Sequence, residues 1–106
     1  QDDLVDDAIR QVSTAMKMTY VPSTRLYSHA VDEARKQPWA DATTGHSRAH
    51  WARAIGWLAM ALVDIAELVG PDRFAPLAGR TTDLLTEIAR LRRPSGLWLQ
   101  VMISPI

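Results

Sequence analysis

The segment from Ala49 to Val69 constrains the fold most, because between Trp51 and Val69 its only ionisable side chains are Arg53, Asp64 and Glu67. Ten residues, Ala54 to Val63 counting Gly56, run without a polar side chain. A membrane-spanning helix needs about 20 such residues, so this one reads as a buried helix, stopped by Gly70-Pro71. A helix that is apolar nearly all round must be covered on most sides, and the two other helices expected here cannot encircle it. The chain is therefore expected to be a slice of a larger helical fold, or a subunit that buries its surplus surface against copies of itself.

The remaining elements follow from periodicity and punctuation. Leu4, Val5, Ala8, Ile9, Val12, Ala15 and Met16 recur at spacings of three and four. They predict an amphipathic helix over about 3–19, with Asp2 or Asp3 as its cap and Asp6 and Asp7 in the favourable first turn. Val21-Pro22-Ser23-Thr24 breaks it, and residues 20–48 are expected as a loop. Within that loop Arg25 to Val31 reads as a short extended segment. Pro38, Gly45, Asp41, Thr43 and Thr44 punctuate the rest.

The apolar helix is expected over about 49–69 and a third over about 74–93. Leu84, Leu85, Ile88 and Leu91 share a face of the latter, Pro76 and Gly79 weaken its first part, and Pro94 ends it. Residues 97–103 read as a strand, and the chain closes on apolar residues through Ile106, as a truncated one would. Helix, loop, helix, loop, helix suits stacked helical hairpins.

Composition excludes several functions. With 106 residues the chain holds at most one core, and its 12 basic and 12 acidic side chains cancel. No basic footprint for nucleic acid or an anionic membrane is present, so neither is expected as a partner. There is no cysteine, which removes disulfides, thiolate metal sites and cysteine nucleophiles. No basic start followed by an apolar run marks an export signal, and the compartment stays open between bacterial cytoplasm and periplasm.

Trp51-Ala52-Arg53-Ala54-Ile55-Gly56-Trp57 carries the candidate site. At about 100° per residue, the three large groups do not share one helical stripe. They converge only if the start of the helix projects into a cavity ringed by other elements. There, indoles would stack on a sugar face and the guanidinium would grip a carboxylate. The competing reading makes both indoles core, with Arg53 laying its stem over them.

Other constellations carry less. His46 and His50 are four apart near Asp41, but Gly45 and Ser47 put His46 in a loop, and no metal is expected. Asp2, Asp3, Asp6 and Asp7 lack calcium-loop spacing, and Ser23, Ser28 and Ser47 lack a nucleophile elbow.

Five segments in order carry a family resemblance: Asp6 to Gln11; Leu26 to Glu33; Gln37 to Asp41 with Thr44-Gly45; Trp51 to Trp57; and Ser95 to Val101. Together they resemble the unsaturated glucuronyl and rhamnogalacturonyl hydrolases of glycoside hydrolase families 88 and 105, across almost the whole chain. The resemblance implies an all-α fold, a fragment of an (α/α)6 barrel in which this chain supplies about three helices plus short extended segments. It implies release of a terminal 4,5-unsaturated uronic acid from an oligosaccharide by hydration of its vinyl ether, without a cofactor. It also implies His29, Trp51, Arg53 and Trp57 as substrate-binding residues, and a general-acid aspartate on a helix upstream of Gln1, so that the isolated chain would be inactive. The chain departs from the family pattern at Val31 and His50, which leaves the substrate open, and at Ile103, where an aspartate is common in the family and its loss is expected to loosen the loop after the strand. The alternative is a non-catalytic helical carbohydrate-binding or self-associating module.

Overall fold

Three helices and four short strands make up the computed structural model, which describes residues 2–103. Helix α1 spans Asp2–Thr19 and buries Ile9 and Met16, one pair of its apolar repeat. Asp2 and Asp3 both fall within the span of the helix, and neither lies ahead of it. Asp7 instead receives hydrogen bonds from Arg10 at 2.7 Å and Gln11 at 2.8 Å along the exposed surface.

Helix α2 covers Ala52–Val69, three residues shorter at its start than expected. His50–Trp51 form strand β3, antiparallel to β4, Val101–Ile103, and the Ala52 N–H is taken by the Gln100 carbonyl at 2.8 Å. That bond holds the chain extended through Trp51, whose ψ of 128° is not helical. The expected strand over 97–103 shortens to β4 because residues 91–97 are spent on closing the preceding helix. Arg93 N–H bonds Leu97 O at 2.8 Å, and Trp98 Nε1 donates to Ile88 O at 2.7 Å. The terminal residues through Ile106 lie outside the described region.

Helix α3 spans Pro71–Arg90, so it starts before and stops short of the predicted 74–93. Its early start is consistent with Pro71 at the first position, where a missing N–H costs nothing. Only Gly70 separates α2 from α3, and its φ of 84° makes the reversal in one residue. Pro76 is accommodated inside the helix, flanked by Phe74 and Leu77, both buried. Burial of that face outweighs the local penalty. Both other helices pack against α3, and Leu26, Ile55, Leu62, Leu77 and Leu84 form the core between them.

The expected loop over 20–48 has more order than its composition suggests. Tyr20–Val21 (β1) pairs with Leu26–Tyr27 (β2) as an antiparallel hairpin, its two tyrosine rings 5.2 Å apart. Of the expected extended segment from Arg25 to Val31, only β2 is strand. Arg25 closes the turn at φ 62° and lies 4.0 Å from the buried Glu87, which Arg90 holds at 2.6 Å. Beyond the hairpin two aspartates act as anchors. Asp32 accepts N–H bonds from Lys36 at 2.7 Å and Gln37 at 2.9 Å, and Asp41 from Thr43 at 2.8 Å and Thr44 at 3.0 Å. These backbone donors, Gln37 foremost for Asp32 and Thr44 for Asp41, hold both carboxyls below their ordinary range.

His50 joins these parts. It is 1% exposed; its Nδ1 lies 3.1 Å from Tyr27 O and its Nε2 2.8 Å from Thr24 Oγ1. A carbonyl can only accept, so Nδ1 carries the hydrogen and Nε2 accepts from the threonine. His46 spends its Nε2 on Met18 O at 2.8 Å, so the two histidines serve separate backbone anchors.

The outline is flat, 43 × 39 × 19 Å, with a radius of gyration of 14.7 Å. A closed domain of this length has about 13 Å. The exposed area is 7221 Å2 against about 5,900 Å2 for a compact monomer of this mass. On α2 the large apolar side chains Trp57, Met60, Val63 and Leu68 are exposed.

Two measurements test this description. Gly45 sits at φ 79°, and a Cβ there would overlap the Asp32 carbonyl oxygen. Gly45→Ala should therefore lower stability by more than about 2 kcal/mol in urea denaturation, whereas Gly79→Ala, in open space on α3, should raise it by about 0.5–1 kcal/mol. Burial pushes the His50 imidazole below its ordinary value, against a smaller opposing effect of the Tyr27 carbonyl. The unfolded chain then binds the proton first. The urea midpoint should hold above about pH 6.5 and fall as pH drops through the lower folded value, and His50→Gln should flatten that slope.

Candidate carbohydrate-binding cleft

Strand β3 and the first turns of α2 open onto a cleft of about 710 Å3 lined by His29, Trp51, Arg53, Ala54, Trp57 and Gln100. The four site residues expected from sequence thus line one concavity. How they meet differs from the helical-wheel estimate, because Trp51 is not in the helix. Arg53 and Trp57, four apart, are neighbours on one face of α2. Trp51 arrives from β3, where the ladder skips a residue between its pairs His50 with Ile103 and Trp51 with Val101. Such an irregularity re-aims a side chain.

Neither indole is buried within this chain: Trp57 is 66% exposed and Trp51 39%. Ile55 and Leu62, on the opposite side of α2, are its buried contributions to the core, with Leu58, Ile65, Ala66 and Val69 packed partly buried against the same cluster.

The electrostatics favour an anion. Arg53 is exposed and has no acidic partner among the described residues, and no carboxylate lines the cleft. No side chain caps the N-terminus of α2, and its first turn carries no acid. The partial positive charge of that end therefore adds to the guanidinium.

His29 stands across from α2 on the segment after β2. Its Nδ1 lies 3.1 Å from Ser47 Oγ, and Ser47 is itself buried, its N–H bonded to Ala30 O at 3.0 Å and its carbonyl accepting from Ser28 Oγ at 3.2 Å. An exposed ring is thus tethered to a buried strut. From the same place a second, almost wholly apolar groove of about 450 Å3 runs between α1 and α2, past Met16, Leu58 and Ile65.

Gln100 is the lining residue that sequence reasoning missed. It sits in the Ser95–Val101 segment, but nothing in its spacing distinguishes it from a strand residue. What brings it to the cleft is the long-range bond of its carbonyl to Ala52 N–H.

Known proteins share this arrangement of sequence and fold. The sequence matches Glycosyl Hydrolase Family 88 over residues 1–106. Protein Atu3128 of Agrobacterium fabrum and a 24.9 kDa protein in the picA locus of Rhizobium radiobacter are each 46% identical over 101 residues, covering 94% of this chain and 43% of theirs. The unsaturated rhamnogalacturonyl hydrolase YesR of Bacillus subtilis is 29% identical over 109 residues, 99% of this chain and 29% of that protein. A solved family 105 glycoside hydrolase of C. acetobutylicum superposes with a TM-score of 0.86 at 31% identity, over 96% of this chain and 29% of that one. The chain spans less than half the length of the curated relatives it matches. With the family match running the length of the sequence, the chain belongs to glycosyl hydrolase family 88.

Proposed function

We propose that this chain forms part of an enzyme that removes a terminal 4,5-unsaturated uronic acid from an oligosaccharide, and that its cleft holds that uronide. The observation carrying the reading is Arg53, a guanidinium without an acidic partner among the described residues, lining one cleft with two exposed indoles at an uncapped helix start. Trp51 and Trp57 offer flat apolar faces to the sugar ring. Arg53 receives the carboxylate with two parallel N–H bonds, and His29 holds a sugar hydroxyl or the attacking water.

In the reaction a carboxylic acid protonates C4 of the vinyl ether and water adds at C5. The resulting hemiketal opens and expels the remaining saccharide. No bond at the anomeric carbon is attacked directly, unlike the two-carboxylate scheme of ordinary glycosidases. Among the described residues the cleft has no carboxyl group to supply that proton. The isolated chain therefore binds without turnover, and the acid belongs to another part of the enzyme.

The architecture we propose is an arc of an (α/α)6 ring, with α2 facing inward. Apolar grooves on both sides of α2 support it: the one against α1, and a second of about 320 Å3 lined by Ala59, Met60, Leu85 and Trp98. In the isolated chain the same surface drives self-association.

Three results test the reading. In the whole enzyme, Arg53→Ala should lower kcat/KM by about 10- to 100-fold, the worth of a charged bidentate contact, with little change in melting temperature. A large stability loss with catalysis intact would return Arg53 to a packing role. The near-ultraviolet absorbance of an unsaturated uronide should bleach with the whole enzyme and persist with the 106-residue chain. Light scattering of the isolated chain should give masses above the monomer that rise with concentration.

A further inference from the structure

The hydroxyl of Ser47 fixes what His29 can do in the cleft. Ser47 is 6% exposed and its Oγ lies 3.1 Å from His29 Nδ1. Two arrangements satisfy that distance. In one the imidazole Nδ1–H donates to the hydroxyl oxygen; in the other the hydroxyl donates and Nδ1 accepts. The first leaves the serine hydrogen without an acceptor in a buried place, because Ser47 Oγ has no other bonding partner among the described residues. A buried donor left unmade is costly. The second satisfies both groups and leaves no orphan.

The backbone that carries the hydroxyl is fixed: the Ser47 N–H is held by Ala30 O, its carbonyl by Ser28 Oγ, and its backbone pairs with Ala40. We infer that Ser47 is a positioning residue which locks neutral His29 as the Nε2–H tautomer, so that the imidazole meets a ligand in the cleft as a hydrogen-bond donor and not as a base. The role, though not the tautomer, rests on the uronide reading above. A ring presenting N–H holds a sugar or water oxygen in place, while activation of the water falls to another group.

The test is the 15N spectrum of the imidazoles in the ligand-free chain at neutral pH, with the three histidines assigned by His→Gln substitution. His29 should show a protonated Nε2 and an unprotonated Nδ1. Ser47→Ala should mix the two tautomers, and Ser47→Thr should retain the single one. An Nδ1–H form in the unsubstituted chain overturns the assignment whether or not a uronide binds, and it does not depend on either variant folding.

In the whole enzyme, Ser47→Ala should lower kcat about tenfold with KM little changed, and Ser47→Thr should restore it. An unchanged kcat in Ser47→Ala, with the Nε2–H tautomer verified in the parent, removes the positioning role. An Arg53→Ala enzyme with undiminished kcat/KM would instead remove the uronide reading, and the tautomer would stand apart from it.

Discussion

A neutral imidazole in the interior, donating to a strand carbonyl and accepting from a turn hydroxyl, is the joint on which this molecule is assembled. His50 sits one residue before Trp51 and three before Arg53, so its bonds to Tyr27 and Thr24 set where the cleft begins relative to the hairpin. The same hairpin delivers Ser28 and His29 to the opposite wall. A buried polar side chain with both nitrogens satisfied specifies geometry in a way that an apolar one of equal size could not. It links two segments more than twenty residues apart without a regular sheet between them.

Around that joint the division of labour on α2 is sharp. One side feeds the core with Ile55 and Leu62; another presents Arg53 and Trp57, and the flanks remain apolar and open. A guanidinium, two indoles, an imidazole and an amide line the cleft with no acid among them, which suits the flat, anionic ligand proposed above. It is a poor surface for transferring protons. In the reaction proposed above, the cleft holds the uronide and the proton comes from a group outside it, and that division is its main chemical content.

How far the sequence reveals this depends on the range of the interaction concerned. The α-helices were legible because apolar periodicity is a local property, and the overly apolar α2 was legible as an unfinished surface for the same reason. The start of α2 lies three residues later than periodicity predicts because a hydrogen bond from Ala52 N–H to the carbonyl of Gln100, some fifty positions away, decides it. Pro76 argued against the early part of α3, yet burial of Phe74 and Leu77 prevailed over a single missing N–H. In residues 20–48 the extended segment and the turn formers are legible, but the order of the rest is not, since it comes from Asp32, Asp41 and His50 binding backbone groups, which leaves no periodic trace. Of the cleft, the aromatic and charged residues stood out by type. Gln100 and the supporting Ser47 did not, because their significance lies in contacts and not in composition.

The one-residue link at Gly70 has a kinetic meaning. Closing so short a connection loses little chain entropy, so α2 and α3 can zip together as a local hairpin before the rest arrives. The cleft has the opposite character, since His29, Trp51 and Gln100 come from distant parts of the chain and must be gathered onto that nucleus. The cleft is consequently expected to mature after the helical pair beneath it and to loosen before that pair does.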